Sequence, residues 1–313
     1  MGEYSKSNII LANRKHLKMT RAELSEGICD ELTLLRYEKG LIDPTDEKFY
    51  NLMLKMGQRG DCYIIPYTQE NIYYITLQKK IAISLQKNNL DTCLSYLNEL
   101  LACESFDLSI PENKQYVERL QYIIKYQKKE INANEFIDHL IKILKYTFTD
   151  FNEKSFPAYR IFSENELLII NNIATTYGQI GELEKSYALF DMFISYFKKN
   201  SRNELVKPLY KLFVNYSNIL GQNKCYEQSI EICQIAIEWL MKRDCQNLLY
   251  NFYFNIGWIY SEYAKFKKEP NVYHKKAKAY VWLSYVLCSF YPESASSKEK
   301  ILAFYNSLTK AEV

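Results

Sequence analysis

One residue order returns along most of this chain. It runs from a small residue to a large one three positions on, then a glycine or polar residue, then small and large residues again. The clearest copy is Ala174, Tyr177, Gly181, Ser186 and Phe190. The next is Ser217, Leu220, Lys224, Ser229, Cys233 and Ala236. A third opens with Gly257 and Tyr260 and, after an insertion over residues 265–273, resumes with Ala277, Val281 and Ser284. Upstream, Ala82, Leu85, Asn89, Leu94 and Asn98 form a fainter copy, and Ile123, Tyr126 and Glu130 the faintest. Two helices that cross closely need this order: small side chains let the backbones approach, and large ones fill the space beside the crossing. One such pair cannot bury its apolar face alone, so the repetition predicts an array of stacked helix pairs.

The breaks fall where such an array needs them. Only nine glycines and seven prolines interrupt 313 residues, of which 48% are hydrophobic, and this favours long helices over a turn-rich β fold. Pro44, Pro66, Pro111, Pro157, Pro208, Pro270 and Pro292 all fall at proposed helix starts or breaks. Inside a helix each would cost about 3 kcal/mol. Asn132-x-x-Glu135, Ser163-x-x-Glu166 and Ser296-x-x-Glu299 have the spacing of capping boxes, in which two residues satisfy each other's free backbone N–H groups. The last predicts a terminal helix over about 298–309 that covers the open end of the stack. A loop is predicted around 150–163, and the 28 tyrosines and 16 phenylalanines read mainly as inter-helix packing.

These columns resemble the tetratricopeptide unit, a helix pair of about 34 residues. The resemblance implies an all-α chain in which residues 67–313 form a right-handed superhelix of about five helix pairs with a C-terminal capping helix. It also implies a hollow lined by the first helix of each pair. One lining column holds Lys80, Gln121, Asn172, Asn215 and Asn255; neighbouring columns hold Asn171, Asn218 and Asn251, and another holds Gln179 and Gln222. An Asn amide offers a donor and an acceptor side by side, so it can pair with one peptide unit whatever the side chain. A ladder of amides therefore suits an extended peptide gripped by its backbone.

The residues ahead of the array follow another plan. Ile9, Ile10 and Leu17 suit one face of a first helix. Thr20-Arg21-Ala22-Glu23 is a capping box that opens a short second helix with Ala22 and Leu24 inward. Gly27 ends it, and a third helix is predicted over 30–39, stopped by Gly40. Asp43-Pro44-Thr45 opens a fourth, with Phe49, Leu52 and Met53 at helical spacing and Gly57 after it. Short helices separated by glycine turns match a helix-turn-helix plan, with a linker at 60–70.

The string Leu24-Ser25-Glu26-Gly27-Ile28-Cys29, followed by Thr33-Leu34-Leu35-Arg36-Tyr37-Glu38-Lys39-Gly40 and Pro44, resembles the Xre-type head of the PlcR and Rgg regulators over roughly residues 8–60. The resemblance implies a DNA-binding domain over residues 1–66. Arg21, Glu31, Leu32, Thr33 and Arg36 would face the major groove, and Arg14 and Lys18 would contact phosphates. The chain departs from the family at Thr20-Arg21, where Thr-Gln is usual, and at Asp30-Glu31-Leu32, where Ser-Gln-Ser is usual. Gln reads adenine, whereas Glu accepts from cytosine, so the departure changes or weakens base readout. Asn13 also stands where the family has an apolar residue. Head and array together resemble the whole plan of those regulators. They imply a cytoplasmic, homodimeric transcriptional regulator of quorum-sensing type. Its partners would be double-stranded DNA with a two-fold symmetric operator, and a short linear signalling peptide in the concave face.

Other classes leave little trace. No run of about 18 apolar residues reads as a membrane span, and the polar N-terminus lacks a secretory core, so the chain is expected in the cytosol. Eight scattered cysteines form no Cys-x-x-Cys, and His16, His139 and His274 stand far apart. No metal or other cofactor is therefore expected, and the thiols read as reduced and buried. No Gly-x-Ser-x-Gly, P-loop, His-Glu-x-x-His or dinucleotide fingerprint marks an enzyme. Net charge is +3, and residues 1–66 balance acids against bases, with Arg14, Lys15, Lys18 and Arg21 clustered. A second reading stays open: a helical scaffold that docks a protein partner, with the head only pairing subunits. A positive face on the third helix would favour DNA, and an exposed apolar face a scaffold.

Overall fold

The computed structural model describes residues 5–57, 69–104, 106–156, 162–199, 206–242, 245–266, 269–291 and 295–310. Among these the chain is all-α, with fifteen α-helices, one 3-10 turn and a lone bridge between Asn152 and Ser155. It divides into two compact units, Met1–Thr176 with Glu184–Leu205, and Tyr177–Leu183 with Val206–Val313.

In the first unit the head comprises α1 (Lys6–His16), α2 (Arg21–Ser25), α3 (Glu31–Glu38) and α4 (Asp46–Lys55). Ser5, Thr20, Asp30 and Thr45 cap these helices, each side chain accepting from the backbone N–H three residues on. Thr20 and Glu23 form the expected capping box. Gly27 and Gly40 take φ of 78° and 66°, which lets the chain leave α2 and α3 sharply. Ile9, Ile10, Leu24, Leu34, Tyr37, Phe49, Leu52, Met53 and Met56 form the core. Leu17 and Ala22, expected inside, are exposed. Leu17 is already the C-cap of α1, and the five-residue α2 turns only Leu24 and Ser25 inward.

Helix pairs follow: α5 (Gln69–Gln86) with α6 (Leu90–Leu101), α7 (Pro111–Gln127) with α8 (Ala133–Leu144), and α9 (Glu164–Gln179) with α10 (Leu183–Lys199). In the second unit α11 (Val206–Gln222) pairs with α12 (Tyr226–Met241), and α13 (Leu249–Ala264) with α14 (Pro270–Ser289) before α15 (Ala295–Lys310). Pro111 and Pro270 open α7 and α14 at the position where a missing N–H costs nothing. The boxes Asn132/Glu135 and Ser163/Glu166 form as expected.

The two clearest repeats share one device. The buried Ser186 hydroxyl donates to the Ala174 carbonyl at 2.8 Å, and the buried Ser229 hydroxyl donates to the Ser217 carbonyl at 2.6 Å. Each bond crosses between the helices of a pair. The fainter copies sit one residue away from their expected columns: Ala82 is exposed while Ile81 is buried, and Ile123 is half-buried while Ile124 is buried. Ile81, Cys93 and Ile124 share one core, so branched apolar side chains fill these crossings, where the sequence pattern expected a small residue at the first.

The insertion expected over 265–273 is shorter, because α13 ends at Ala264 and the 20-residue α14 already begins at Pro270. Tyr260 and Tyr263 of α13 pack their rings on Tyr273 of α14 at 6.2 and 5.4 Å. At Gly257 a Cβ would stand 2.6 Å from Val281 Cγ2 and 3.1 Å from the Ala277 carbonyl, so this crossing requires glycine. The terminal helix starts at Ala295, earlier than expected, and packs Ile301 and Leu308 against Ala277, Val281 and Cys288. Phe151, Phe156 and Phe162 of the predicted loop join Phe148 in an aromatic cluster that reaches Phe193 of α10. Pro66, Pro157, Pro292 and most of the expected linker lie outside the described residues.

Candidate functional site

The outer face of α3 carries Glu31, Leu32 and Arg36, all exposed, while Leu34, Tyr37 and Glu38 face the core. Leu32 is 56% exposed. Thr33 is half-buried, and its hydroxyl donates to Asp30 at 2.6 Å while its N–H donates to the other carboxylate oxygen at 2.7 Å. These two bonds hold the Asp30 carboxyl below its ordinary range. The amino end of α3 thus presents Asp30 and Glu31, and its positive charge lies at Arg36 one turn on. Lys18 is exposed in the turn after α1, in a left-handed conformation with φ 55°.

Arg14, expected at a phosphate, is turned into the core of the head. It is 8% exposed. Its Nε and Nη2 donate to the Glu38 carboxylate, the latter at 3.2 Å, and its Nη1 donates to the Met19 carbonyl at 2.7 Å. Arg21 Nε donates to the same carboxylate at 2.7 Å, with its side chain partly exposed. Glu38 is 2% exposed, so one buried carboxylate ties the end of α1, the start of α2 and the end of α3. A buried charge is tolerated only when paired and hydrogen-bonded, which is why Arg14 points inward. The sequence offered Glu38 only as one letter of the family string.

The expected amide ladder separates into engaged and open groups. In α13, the Asn255 amide donates to the Ser217 hydroxyl at 2.9 Å and the residue is 8% exposed, so it ties α13 to α11. Asn251, one turn earlier, donates to the Tyr210 hydroxyl of α11. Asn171 is 5% exposed and likewise belongs to the interior of its unit. Asn215 and Asn218 of α11 are half-buried, and Gln121, Gln179 and Gln222 are exposed. Lys80 is exposed and stands 5.2 Å over the Tyr96 ring of α6. Asn172 differs from all of these: it is half-buried, and its amide nitrogen is enclosed with no hydrogen-bond partner. The Thr175 hydroxyl, one turn on, is enclosed and unbonded in the same way.

Among the described residues no cluster of His, Cys, Asp or Glu could hold a metal ion, and no helix is long and apolar enough to cross a membrane.

The fold is similar to that of solved regulators determined alone or with a signalling peptide and DNA. PlcR of Bacillus thuringiensis, in complex with the peptide PapR7 and DNA, matches with a TM-score of 0.55 at 19% identity, covering 96% of this chain and 99% of that one. ComR from S. thermophilus, in complex with DNA and its signalling peptide ComS, matches with a TM-score of 0.53 at 16% identity, covering 97% and 100%. The apo form of the competence regulator ComR from Streptococcus vestibularis gives 0.51 at 17% identity, covering 97% and 98%. No protein-family model matches the sequence, and no curated protein matches it.

Proposed function

We propose that this chain is a cytoplasmic, homodimeric transcriptional regulator that binds a two-fold symmetric DNA site through α3 and a short peptide through the helix-pair array. The observation that carries the reading is a complete four-helix head whose third helix leaves Glu31, Leu32 and Arg36 exposed, in a chain sharing its fold along nearly its whole length with PlcR. Arg36 reads a guanine, Arg21 approaches the groove from α2, and Lys18 takes a phosphate. In the first unit, Asn172 holds the peptide backbone through its enclosed, unbonded amide nitrogen. The peptide acts by population shift: it binds one arrangement of the dimer better and so changes the spacing of the heads, which half-sites must match.

The exposed Leu32 beside two acids at the amino end of α3 favours the second reading, a scaffold whose head pairs subunits. A footprint on DNA just upstream of the gene separates the two. The regulator reading expects a protected, two-fold symmetric site at moderate salt. Absence of protection at low salt, with the culture's peptide fraction added, supports the scaffold.

A further inference from the structure

Arg119 of α7 is only 7% exposed. Its Nε donates to Asn165 Oδ1, in the first turn of α9, at 2.6 Å. Asn165 is itself fixed, because its Nδ2 donates to Gln115 Oε1 at 2.9 Å. Gln115 is fully buried and donates in turn to the Thr147 hydroxyl at 2.8 Å and the Ile143 carbonyl at 3.2 Å. This chain of amides locks the plane of the guanidinium through a single nitrogen. The two terminal nitrogens form no hydrogen bond to the described residues, and no carboxylate among those residues lies within 4 Å. The Tyr116 ring centre lies 5.8 Å from the guanidinium carbon, and its hydroxyl makes no hydrogen bond to the described residues. Burial pushes that hydroxyl up to about 12 and lowers Arg119, with Glu164 the one carboxylate whose charge opposes the latter. A buried cation with no counter-ion is costly, and a guanidinium with both terminal nitrogens open matches a carboxylate in two parallel bonds.

We propose that Arg119 anchors a carboxylate of the bound peptide, with the Tyr116 hydroxyl as a further donor. The carboxylate is either the peptide's free C-terminus or an acidic side chain. The inference rests on the peptide reading above and assigns that peptide a chemical feature.

Two measurements on the full chain test it. The first compares thermal unfolding in sodium acetate and in sodium chloride at equal ionic strength. Acetate raises the Tm of the wild type and leaves Arg119→Met unmoved. Without acetate, Arg119→Met unfolds at the same or a higher temperature, because it removes an unbalanced charge. A large loss of Tm in Arg119→Met, with no acetate effect in the wild type, assigns the residue to packing and overturns the proposal.

The second offers pools of short random peptides as free acids and as C-terminal amides. Retention falls by about tenfold in Arg119→Met and by less in Arg119→Lys, and rises in Glu164→Gln. Loss on amidation assigns the C-terminus, while retention of amides enriched in Asp or Glu assigns the side chain. Equal retention by wild type and Arg119→Met overturns the carboxylate anchor and leaves the peptide reading standing. No retention of either pool by the wild type overturns both.

Discussion

Arg14 and Arg119 are both buried arginines in the first unit, and they differ in what meets them. Arg14 meets the Glu38 carboxylate and a backbone carbonyl, so its charge is balanced within the fold. Among the described residues Arg119 meets one amide oxygen, which satisfies a nitrogen, and no carboxylate within 4 Å balances its charge. The first arrangement holds three helices together. The second leaves a donor pair for which no described residue supplies a partner. Burial alone therefore does not tell a structural cation from a binding one; the partner does. The same contrast recurs in neutral form between Asn255, bonded to Ser217, and Asn172, whose amide nitrogen is enclosed and unbonded.

Removing the carboxylate of Arg14 puts it in the position of Arg119. Glu38→Ala leaves Arg14 buried without a carboxylate, and chemical denaturation should show the head destabilised by about 3–5 kcal/mol. A change under about 1 kcal/mol would mean that the pair is no clamp. Next comes a third arginine, Arg36, exposed on α3. Arg36→Ala should cost about 1–3 kcal/mol in binding to the protected DNA, read by mobility shift, with the fold intact. Equal binding of both proteins would remove α3 as the reading helix. The two asparagines then test the neutral contrast. Asn255→Ala should cost about 1–2 kcal/mol of stability, because it strips a buried bond to Ser217. Asn172→Ala should shift stability by less than about 0.5 kcal/mol and weaken peptide retention. If the two variants unfold alike, the amides do not differ in role.

The smallest effect concerns pH. Thr33 lowers the Asp30 carboxyl, so the folded-state value lies below the unfolded one. The cap's contribution is then complete above the unfolded value and fades as pH falls through the folded one. Acid titration of the head should show that loss in the wild type and not in Asp30→Asn, which keeps a capping oxygen without the charge.

Much of the fold was legible because helix ends are written locally. Thr20 with Glu23, Asn132 with Glu135 and Ser163 with Glu166 each need only residues three apart, and each formed as read. Register was harder. The search for a small residue at each crossing put Ala82 where Ile81 packs, since a branched side chain can fill a crossing that has more room. The site was least legible. Arg14 sits in a cluster of basic residues and looks like a phosphate contact, yet its fate is decided by Glu38, distant in sequence and fixed only by the fold. Asn255 and Asn172 share a column in the sequence, and nothing local to Asn255 announces that Ser217 will take its amide. Arg119 carried no sequence signal, because its distinguishing feature is the lack of a carboxylate partner among the described residues.

A regulator of the proposed kind requires that DNA binding by the head respond to peptide bound in the array. The most direct measurement titrates the footprinted duplex with the full chain, with and without the retained peptide fraction, and reads the midpoint. Coupling between the two sites shifts the midpoint by roughly 5- to 150-fold in either direction, and Asn172→Ala abolishes the shift. An unchanged midpoint with peptide demonstrably bound would contradict it, leaving a DNA-binding head and a peptide-holding array that do not communicate.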